Sequence, residues 1–375
     1  MSSTLAIDPE QLRERNGYWT AREIAQQPQT WRRVADLVDN QRADLEAWLA
    51  PLLAQPRLRI VLTGAGTSAY VGETLAPYLS RKLARPVEAI STTDLMGNPD
   101  QYLLPDYPTL LVSYARSGNS PESVGAYQLA DQLVDNCYHM VVSCNPDGEL
   151  AERAAGRDNS YSLLMPEETL DRSFAMTSSF TAMMLATLTL FSPDTRQLEK
   201  TIAAGSDLLE TQQQTLRERA QLDFHRIAFL GSGGLKGIAT ESALKMLELT
   251  AGQIDCHAES PLGFRHGPKS MVDERTLVML FASGDDYTGR YDDDLYRELQ
   301  RDGTSPWIFS ATDLFDTAGL DDAWLSFPYI LCAQLLAFYK CLALDITPDN
   351  PCPSGEVNRV VQGVTIHPFT PEAAQ

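Results

Sequence analysis

The stretch Leu58-Arg-Ile-Val-Leu-Thr-Gly-Ala-Gly-Thr-Ser68 decides the fold. Its apolar first half predicts a buried strand, its glycines predict a tight turn, and the apolar periodicity up to Leu83 predicts a helix. The same order returns roughly 167 residues later. There His225-Arg-Ile-Ala-Phe-Leu-Gly-Ser-Gly-Gly234 precedes a helical stretch over 235–251. A repeated strand–turn–helix unit of this kind is typical of parallel α/β sheets.

A second pair of segments repeats in the same order. A predicted strand over 109–114 leads to Ser117-Gly118, and a predicted strand over 277–281 leads to Ser283-Gly284. The fold class is therefore α/β, with two tandem doubly wound, mostly parallel sheets flanked by helices and preceded by N-terminal helices. Apolar runs predict further strands at 138–143, 160–165 and 324–327.

The domain prediction follows from the repeat. Residues 1–50 form an N-terminal helical segment, 51–200 the first domain, and 201–375 the second domain with a C-terminal tail. A mostly polar stretch over 194–223 is predicted to be a helical connector. In doubly wound sheets ligands bind beyond the carboxyl ends of the strands, where both glycine turns lie.

Composition excludes several classes of function. The chain has 375 residues, 43% of them hydrophobic and 21% charged, and a net charge of −20. This charge disfavours a nucleic-acid or anionic-membrane surface. No secretory signal and no apolar run of bilayer length are apparent. The six cysteines form no C-x-x-C pair, and they are interpreted as reduced thiols of a cytoplasmic protein.

Neither a metal nor a cofactor is expected. The five histidines show no ligand spacing, so no metal site is predicted. Ala69 occupies the third-glycine position of a dinucleotide fingerprint, which disfavours a nicotinamide cofactor. Thr67 and Ser68 are instead candidate donors to sugar hydroxyls or phosphate.

Arg116-Ser-Gly-Asn-Ser-Pro-Glu-Ser123 is a candidate phosphate-binding loop. It follows a strand, and Pro121 suits the first turn of a helix, whose N-terminus attracts anions. The hydroxyls of Ser117, Ser120 and Ser123 add neutral donors. A plain serine N-cap is the alternative, and the pattern alone leaves both open. The second copy has Asp285 and Asp286 instead, which would repel phosphate, so one phosphate site per chain is predicted.

Acidic and basic side chains share one face of the predicted helix over 235–251. Glu241, Lys245 and Glu248 are spaced by four and three residues. A solvated ion-paired face is one interpretation; a proton-shuttling Glu248 among apolar neighbours is the other. Gly263-Phe-Arg-His-Gly-Pro-Lys269 places His266 between glycines, where it serves either in a site or on a surface loop.

Two further stretches have simpler interpretations. Arg172-Ser-Phe-Ala-Met-Thr-Ser-Ser179 is rich in small hydroxyls and either caps the following helix or closes over a substrate. Asp292-Asp-Asp294 is interpreted as an exposed helix face.

Together the motifs resemble the sugar isomerase (SIS) family, whose G-x-G/T-S turn, S-G-x-S loop, A-L-K-x-x-E and H-G-P motifs occur here in order. The resemblance covers nearly the whole chain. It includes Tyr18-Trp-Thr20, Thr92-Thr-Asp-Leu95, Phe174-Ala-Met-Thr-Ser-Ser179, Gly263-Phe-Arg-His-Gly-Pro268 and Val357-Asn-Arg-Val-Val-Gln-Gly363.

The resemblance implies roles for individual residues. It assigns phosphate and substrate binding to the residues of the two turns: Gly66, Thr67, Ser68, Ser117, Gly118, Asn119, Ser120 and Ser123. It makes Glu248 the proton shuttle, Lys245 the residue that steadies the enediol oxygen, and His266 the ring-opening residue. The paired domains also resemble the isomerase half of glucosamine-6-phosphate synthase, in which a glutamine stands at the position of Arg116.

Within the family, the chain is most similar to enzymes that deaminate and isomerise galactosamine 6-phosphate. That resemblance implies conversion to tagatose 6-phosphate and ammonia, no cofactor, and a homodimer or larger homo-oligomer with a shared active site. The alternatives are an aldose–ketose isomerase without deamination, a glucosamine-6-phosphate deaminase, and a non-catalytic sugar-phosphate sensor.

Overall fold

The structure is a computed structural model that describes residues 4–361 and 363–370. Residues 1–3 and 371–375 of the predicted terminal segments, and Gln362 of the motif over 357–363, lie outside the described residues. The strands are Arg59–Thr63 (β1), Val87–Ala89 (β2), Thr109–Ala115 (β3), Cys137–Ser143 (β4), Ser160–Leu164 (β5), Arg226–Gly231 (β6), Asp255–Glu259 (β7), Thr276–Phe281 (β8) and Trp307–Ser310 (β9).

The helices alternate with these strands after an N-terminal helical run. They are Pro9–Glu14 (α1), Tyr18–Ala25 (α2), Gln27–Asn40 (α3), Arg42–Leu53 (α4), Thr67–Leu83 (α5), Thr92–Gly97 (α6), Pro99–Tyr102 (α7), Pro121–Leu133 (α8), Glu149–Ala154 (α9), Ser178–Phe191 (α10), Thr195–Thr211 (α11), Gln213–Ala220 (α12), Leu235–Leu249 (α13), Pro261–Phe264 (α14), Thr288–Asp302 (α15) and Asp322–Ala343 (α16).

The chain divides into two compact units, each built around one sheet. The first-sheet unit comprises the described residues of Arg33–Leu170, Ala182–Ser192 and Val357–Gln375. The second-sheet unit comprises those of Met1–Arg32, Asp171–Thr181 and Pro193–Glu356. The two units interleave along the chain, whereas the predicted domains are consecutive segments. The predicted boundaries at residues 50 and 200 stay a proposal.

In the first-sheet unit the strand order is β2-β1-β3-β4-β5, and all pairs are parallel. Val61 and Leu111 from neighbouring strands pack with Leu129 of α8 in a fully apolar core. Burying side chains of this size contributes about 1.5–3 kcal/mol each. The strand order reverses between β1 and β3, so ligands are expected beyond the ends of those two strands.

The second-sheet unit repeats this plan with the order β7-β6-β8-β9, again all parallel. Leu230 and Leu280 of the strands pack with Leu295 and Leu299 of α15. In this sheet the strand order reverses between β6 and β8. The predicted fold class, two doubly wound parallel sheets flanked by helices, is confirmed.

Both glycine turns are required by close packing of a strand end on the following helix. A Cβ at Gly64 would lie 2.6 Å from backbone and side-chain atoms of Ser68, and one at Gly231 would lie 2.4 Å from the carbonyl oxygen of Leu235. No side chain fits at such distances, so the two copies of the turn share one steric requirement.

One predicted strand was wrong, and the three short strands β2, β7 and β9 were not predicted. Residues 324–327 lie inside α16, a 22-residue helix in which apolar side chains continue for six turns. A short apolar run does not distinguish a buried strand from a buried helix. Helix α16 is also long and apolar enough to span a bilayer, contrary to the expectation from sequence, but 94% of its most apolar window is buried inside the protein.

Candidate functional site

In the first-sheet unit, the predicted binding residues lie at the carboxyl ends of the two strands that flank the switch point. Thr67 and Ser68 form the first turn of α5 and are almost fully buried. Gly66 precedes them with φ +54, a conformation that favours glycine. The Ser117–Ser123 loop follows the neighbouring strand β3. The fold thus brings the two predicted turns to one edge of this sheet.

The Ser117–Ser123 loop contains both features that the sequence left open. Ser120 is the N-cap of α8: its Oγ accepts from Ser123 N at 3.4 Å and donates to Ser123 Oγ at 2.7 Å. The backbone N–H groups of Ser117 and Gly118, however, donate to no acceptor in the part of the chain that the structure describes. A helix N-terminus preceded by open amides is chemically suited to a phosphate.

Neighbouring segments hold this loop in place. The Asn145 side chain donates to the Ser117 carbonyl at 2.8 Å, and the Glu149 amide donates to Asn119 Oδ1 at 2.9 Å. Gly118 adopts φ +70, which places the loop in the left-handed region. The turn is therefore preorganised by contacts within its own unit.

Arg116 is nearly buried at the end of β3. Its Nη2 donates to the carbonyl oxygen of Arg359 at 2.6 Å, so it links the start of the Ser117–Ser123 loop to the C-terminal tail. Gln132 binds the same tail at the Phe369 carbonyl, at 3.1 Å. No sequence pattern indicated this contact, because the two arginines are separated by 243 positions.

In the second-sheet unit, the acidic and basic face of α13 is buried rather than solvated. Glu241 and Lys245 have no exposed side-chain surface, and the Lys245 ammonium lies 3.5 Å from Glu241. Lys245 also donates to Glu248, whose side chain remains 22% exposed. Removing one partner of such a buried ion pair costs about 3–5 kcal/mol. The cluster is therefore a positioned cation between two carboxylates, one of which reaches the surface.

His266 does not join that cluster within one chain. It follows α14 on an exposed turn, and its ring makes no hydrogen bond or ion pair among residues 4–361 and 363–370. Gly267 follows with φ +126, which only glycine adopts readily. Leu262 and Leu247, near His266 and Glu248 in sequence, are large apolar side chains that are 47% and 44% exposed.

The Ser283–Gly284 loop of the second-sheet unit is filled by the protein's own carboxylates. Asp292 accepts from Ser283 N at 2.8 Å and from Ser232 Oγ at 2.6 Å. Asp322 accepts from Gly284 N at 2.7 Å and from Ser283 Oγ at 2.6 Å. Burial raises the pKa of both carboxyls. The amides at this turn are therefore occupied.

This finding corrects one prediction and refines another. Asp292 was expected on an exposed helix face with its neighbours, but it is fully buried, because it accepts hydrogen bonds at the ends of β6 and β8. The acids that occupy the loop amides are Asp292 and Asp322. Asp285, to which repulsion was attributed, accepts from the amides of Tyr287 and Thr288 instead.

The Arg172–Ser179 stretch leads into the start of helix α10, in line with the capping role that was one of its two predicted roles. Ser178 and Ser179 open α10, and both donate to Asp171. The Arg172 guanidinium lies over the Trp19 ring, 4.4 Å from its centroid.

One group of potential metal ligands lies away from these turns. Asp131, Cys137 and His139 have ligand atoms within 4.8 Å of one another. Arg157 binds both oxygens of Asp131, at 2.7 and 2.9 Å. Although burial acts in the opposite direction, hydrogen bonds from His139 and Arg157 lower the pKa of Asp131 to about 2. The carboxylate is thus already neutralised by a guanidinium.

The SIS domain profile matches residues 52–193 and 222–329. The chain is 50% identical over 372 residues to D-galactosamine-6-phosphate deaminase AgaS of Shewanella sp. (strain ANA-3), covering 98% of this chain and 96% of the relative. It is 45% identical over 371 residues to the protein of that name from Escherichia coli, covering 94% and 96%. The solved structure of tagatose-6-phosphate ketose/aldose isomerase from Escherichia coli has a TM-score of 0.86 and 42% identity, covering 95% and 98%.

Proposed function

The chain belongs to the SIS domain family, and from that premise we propose that it is an enzyme converting D-galactosamine 6-phosphate and water into tagatose 6-phosphate and ammonia. The observation that carries the proposal is the buried Lys245 between Glu241 and Glu248. A buried cation flanked by two carboxylates supplies a proton acceptor and a charge that the reaction uses and that binding alone does not require. The relatives named as deaminases at 45–50% identity support the choice of substrate.

Glu248 is the proposed proton shuttle. As a general base it takes the proton from C2 of the open-chain aldose, and the electron pair moves to form an enolamine. Returning that proton to C1 gives a ketimine, and water adds to the C–N double bond and expels ammonia. Because Lys245 has no exposed side-chain surface, its ammonium stabilises the negative charge that develops on the substrate oxygen electrostatically rather than by direct contact. The reaction balances with one water consumed and no oxidant.

The phosphate is assigned to the Ser117–Ser123 loop. Its open amides and helix N-terminus bind an anion without adding a formal charge, which suits a chain of net charge −20. Gly66, Thr67 and Ser68 are proposed to assist with sugar hydroxyls or phosphate. A phosphate held away from the reacting carbons fixes the substrate's orientation. No cofactor is required.

His266 is proposed to open the sugar ring in the active site of a second copy of the chain. The support is that His266 is exposed and does not bond to Glu248 within one chain, while Leu247 and Leu262 expose apolar surface nearby in sequence. A cytoplasmic homodimer with reciprocal sites is the simplest assembly that satisfies this.

Subunit mixing tests that assembly. The variants Glu248→Gln and His266→Ala are prepared separately, and each is expected to be nearly inactive. They are then unfolded, mixed in equal amounts and refolded. Random pairing makes about half the dimers mixed, each with one intact site of two, so recovery approaches about a quarter of wild-type activity. Refolding each variant alone is the control. No recovery, with mixed dimers demonstrated, places both residues in the same chain.

A second candidate is aldose–ketose isomerisation without loss of nitrogen, the activity named for the Escherichia coli structure. Ammonia release from galactosamine 6-phosphate, compared with release from glucosamine 6-phosphate, decides between the candidates. We expect release from the galacto substrate only. Interconversion of a nitrogen-free aldose and ketose phosphate, with no ammonia from either amino sugar, would favour the isomerase.

A further inference from the structure

Two carboxylates are buried in the second-sheet unit outside the residues assigned to catalysis. Glu23 of α2 is 3% exposed, and Asp171, which begins the segment before α10, is 0% exposed. They interact electrostatically. Two ionised carboxylates in such surroundings repel each other, so the protonation state of the pair is set by the donors around each.

Asp171 is surrounded by hydrogen-bond donors. It accepts from the backbone amides of Thr177 at 2.8 Å and Ser179 at 2.9 Å. The hydroxyls of Ser178 and Ser179 donate to it as well, both at 2.5 Å. Backbone N–H groups cannot accept a proton, and the adjacent start of α10 favours an anion. The geometry is that of an ionised carboxylate.

Glu23 is placed differently. Its Oε1 accepts from the amide of Arg172 at 2.5 Å, and the amide of Ser173 is shared between Oε1 and Oε2 at 3.3 Å from each. Its Oε2 contacts the Ser173 hydroxyl, which also lies 3.1 Å from the carbonyl oxygen of Ala175. One hydroxyl has one hydrogen, and a carbonyl can only accept. When Oε2 of Glu23 carries a proton and donates it to Ser173, the hydroxyl hydrogen is left for Ala175 and both contacts are satisfied; when Glu23 is ionised, the hydroxyl donates to Oε2 and the Ala175 carbonyl loses that donor.

The other charged groups near Glu23 are committed elsewhere. The guanidiniums of Arg22 and Arg172 lie over the ring of Trp19. Asp349 accepts from the amides of Trp19 and Thr20, at the start of α2. Glu23 itself forms no ion pair with a lysine or arginine among the described residues. Burial, with the charge of Asp171 adding to it, raises the pKa of Glu23 to about 8.

We propose that Glu23 and Asp171 hold a single proton, that it resides on Glu23, and that its loss above neutral pH loosens the Asp171–Ser178 segment from α2. The pair is then a pH-sensitive device in the fold, separate from the proposed catalytic residues. It neither requires nor alters the proposed reaction.

The sign of the pH dependence follows from the direction of the shift. Below the ordinary glutamate value of 4.5, Glu23 is protonated in both the folded and the unfolded chain. Between 4.5 and about 8 only the folded chain keeps the proton. Stability from this group is therefore complete at low pH and is lost as pH rises through that window. The unfolding constant should rise by up to roughly tenfold per pH unit.

Isosteric amides test the assignment. Glu23→Gln reproduces the protonated pattern, because its oxygen accepts from the two amides and its nitrogen donates to Ser173. We expect that variant to match wild type at about pH 4.5 and to exceed it in unfolding midpoint by a growing margin up to about pH 8. Asp171→Asn places an NH2 group against donors, so it should be less stable at every pH. Glu14→Gln, at an exposed position of α1, is the matched control and should leave the pH profile unchanged.

Two readouts keep the test independent of whether Asp171→Asn folds. The infrared band of protonated carboxyl groups at neutral pH should be weaker in Glu23→Gln than in wild type. Trypsin cleavage after Arg172 should accelerate above about pH 8 in wild type but not in Glu23→Gln. The same pH profile of stability in Glu23→Gln as in wild type, or an infrared band of undiminished intensity in that variant, would overturn the proposal.

Discussion

The turn over Ser117–Asn119 in the first-sheet unit and the turn over Ser283–Asp285 in the second-sheet unit share one internal hydrogen bond but differ in what their amides bind. In Ser117–Asn119 the amide of the third residue donates to the hydroxyl of the first at 3.3 Å, and in Ser283–Asp285 the same contact measures 3.1 Å. Asp292 and Asp322 occupy the amides of the second turn, whereas the amides of Ser117 and Gly118 have no acceptor among the described residues. Two carboxylates thus occupy one copy of a turn whose other copy is open to an anion.

The helices after the two glycine turns differ as well. The positions of α5 that match Glu241, Lys245 and Glu248 of α13 are occupied by Thr74, Tyr78 and Arg81. Only the second copy has the buried cation and carboxylates, and only the first has open amides. The repeat has therefore diverged so that phosphate binding is expected from the first copy and proton transfer from the second.

Glu248→Gln tests the second copy and should have the largest effect. The amide keeps the shape and removes the base, so turnover should fall by roughly a hundredfold or more while sugar-phosphate binding persists. Steady-state kinetics and calorimetry measure the two quantities. Arg81→Gln, at the matching exposed position of α5, is the control and should turn over normally. Near-normal turnover in Glu248→Gln would remove Glu248 from the chemistry.

Ser120→Asp tests the first copy by giving it an acid. Aspartate caps a helix as well as serine does, so α8 and the melting temperature should be retained. The added charge should repel phosphate and weaken substrate binding by at least about tenfold. Ser120→Asn, a neutral cap of similar size, is the matched control and should bind more tightly than the aspartate variant. Calorimetry showing equal affinity in all three proteins would move the phosphate elsewhere.

Asp292→Asn disturbs the filled turn. The amide retains one acceptor and loses the other, so the free energy of unfolding should fall by about 1–3 kcal/mol. Turnover per folded molecule should stay the same. Denaturant titration measures the loss, with Asp293→Asn on the exposed side of α15 as the control. Lost turnover with unchanged stability would give Asp292 a chemical role instead.

Chelation should have the smallest effect, namely none. The acids at the filled turn bind amides and hydroxyls, and Arg157 already neutralises Asp131 beside Cys137 and His139. Dialysis against EDTA should therefore leave both turnover and melting temperature unchanged. A loss restored by zinc or magnesium would contradict metal independence.

Most of the fold could be predicted because its signals are local. Buried apolar runs before glycine or serine turns predicted β1, β3, β6 and β8, which are five to seven residues long, within one or two residues. The short strand β2 is three residues long, too short for a periodicity to register. The strand predicted at 324–327 was wrong for the opposite reason, because a long apolar helix contains short apolar runs that resemble a strand.

The sequence predicted which residues make up the candidate site, but not which side chains surround them or how deeply they are buried. Spacing placed Glu241, Lys245 and Glu248 on one face, yet only the folded structure distinguishes a buried face from a solvated one. The partners of Ser283 and Gly284 come from α15 and α16, 9 and 38 positions away. Local patterns carry no information on which side chain reaches a turn from another element.

Asp349 is one such partner, and its contact with α2 has a consequence for the order in which the chain folds during synthesis. Its carboxylate binds the first amides of a helix made 330 residues earlier. The first sheet lies within residues 59–164, so all its strands leave the ribosome before β6 is translated. Helix α2 is translated before this sheet, yet the carboxylate that binds its first amides is translated only after β9 and α16. On a nascent chain the start of α2 therefore remains without this contact until 330 further residues have been made.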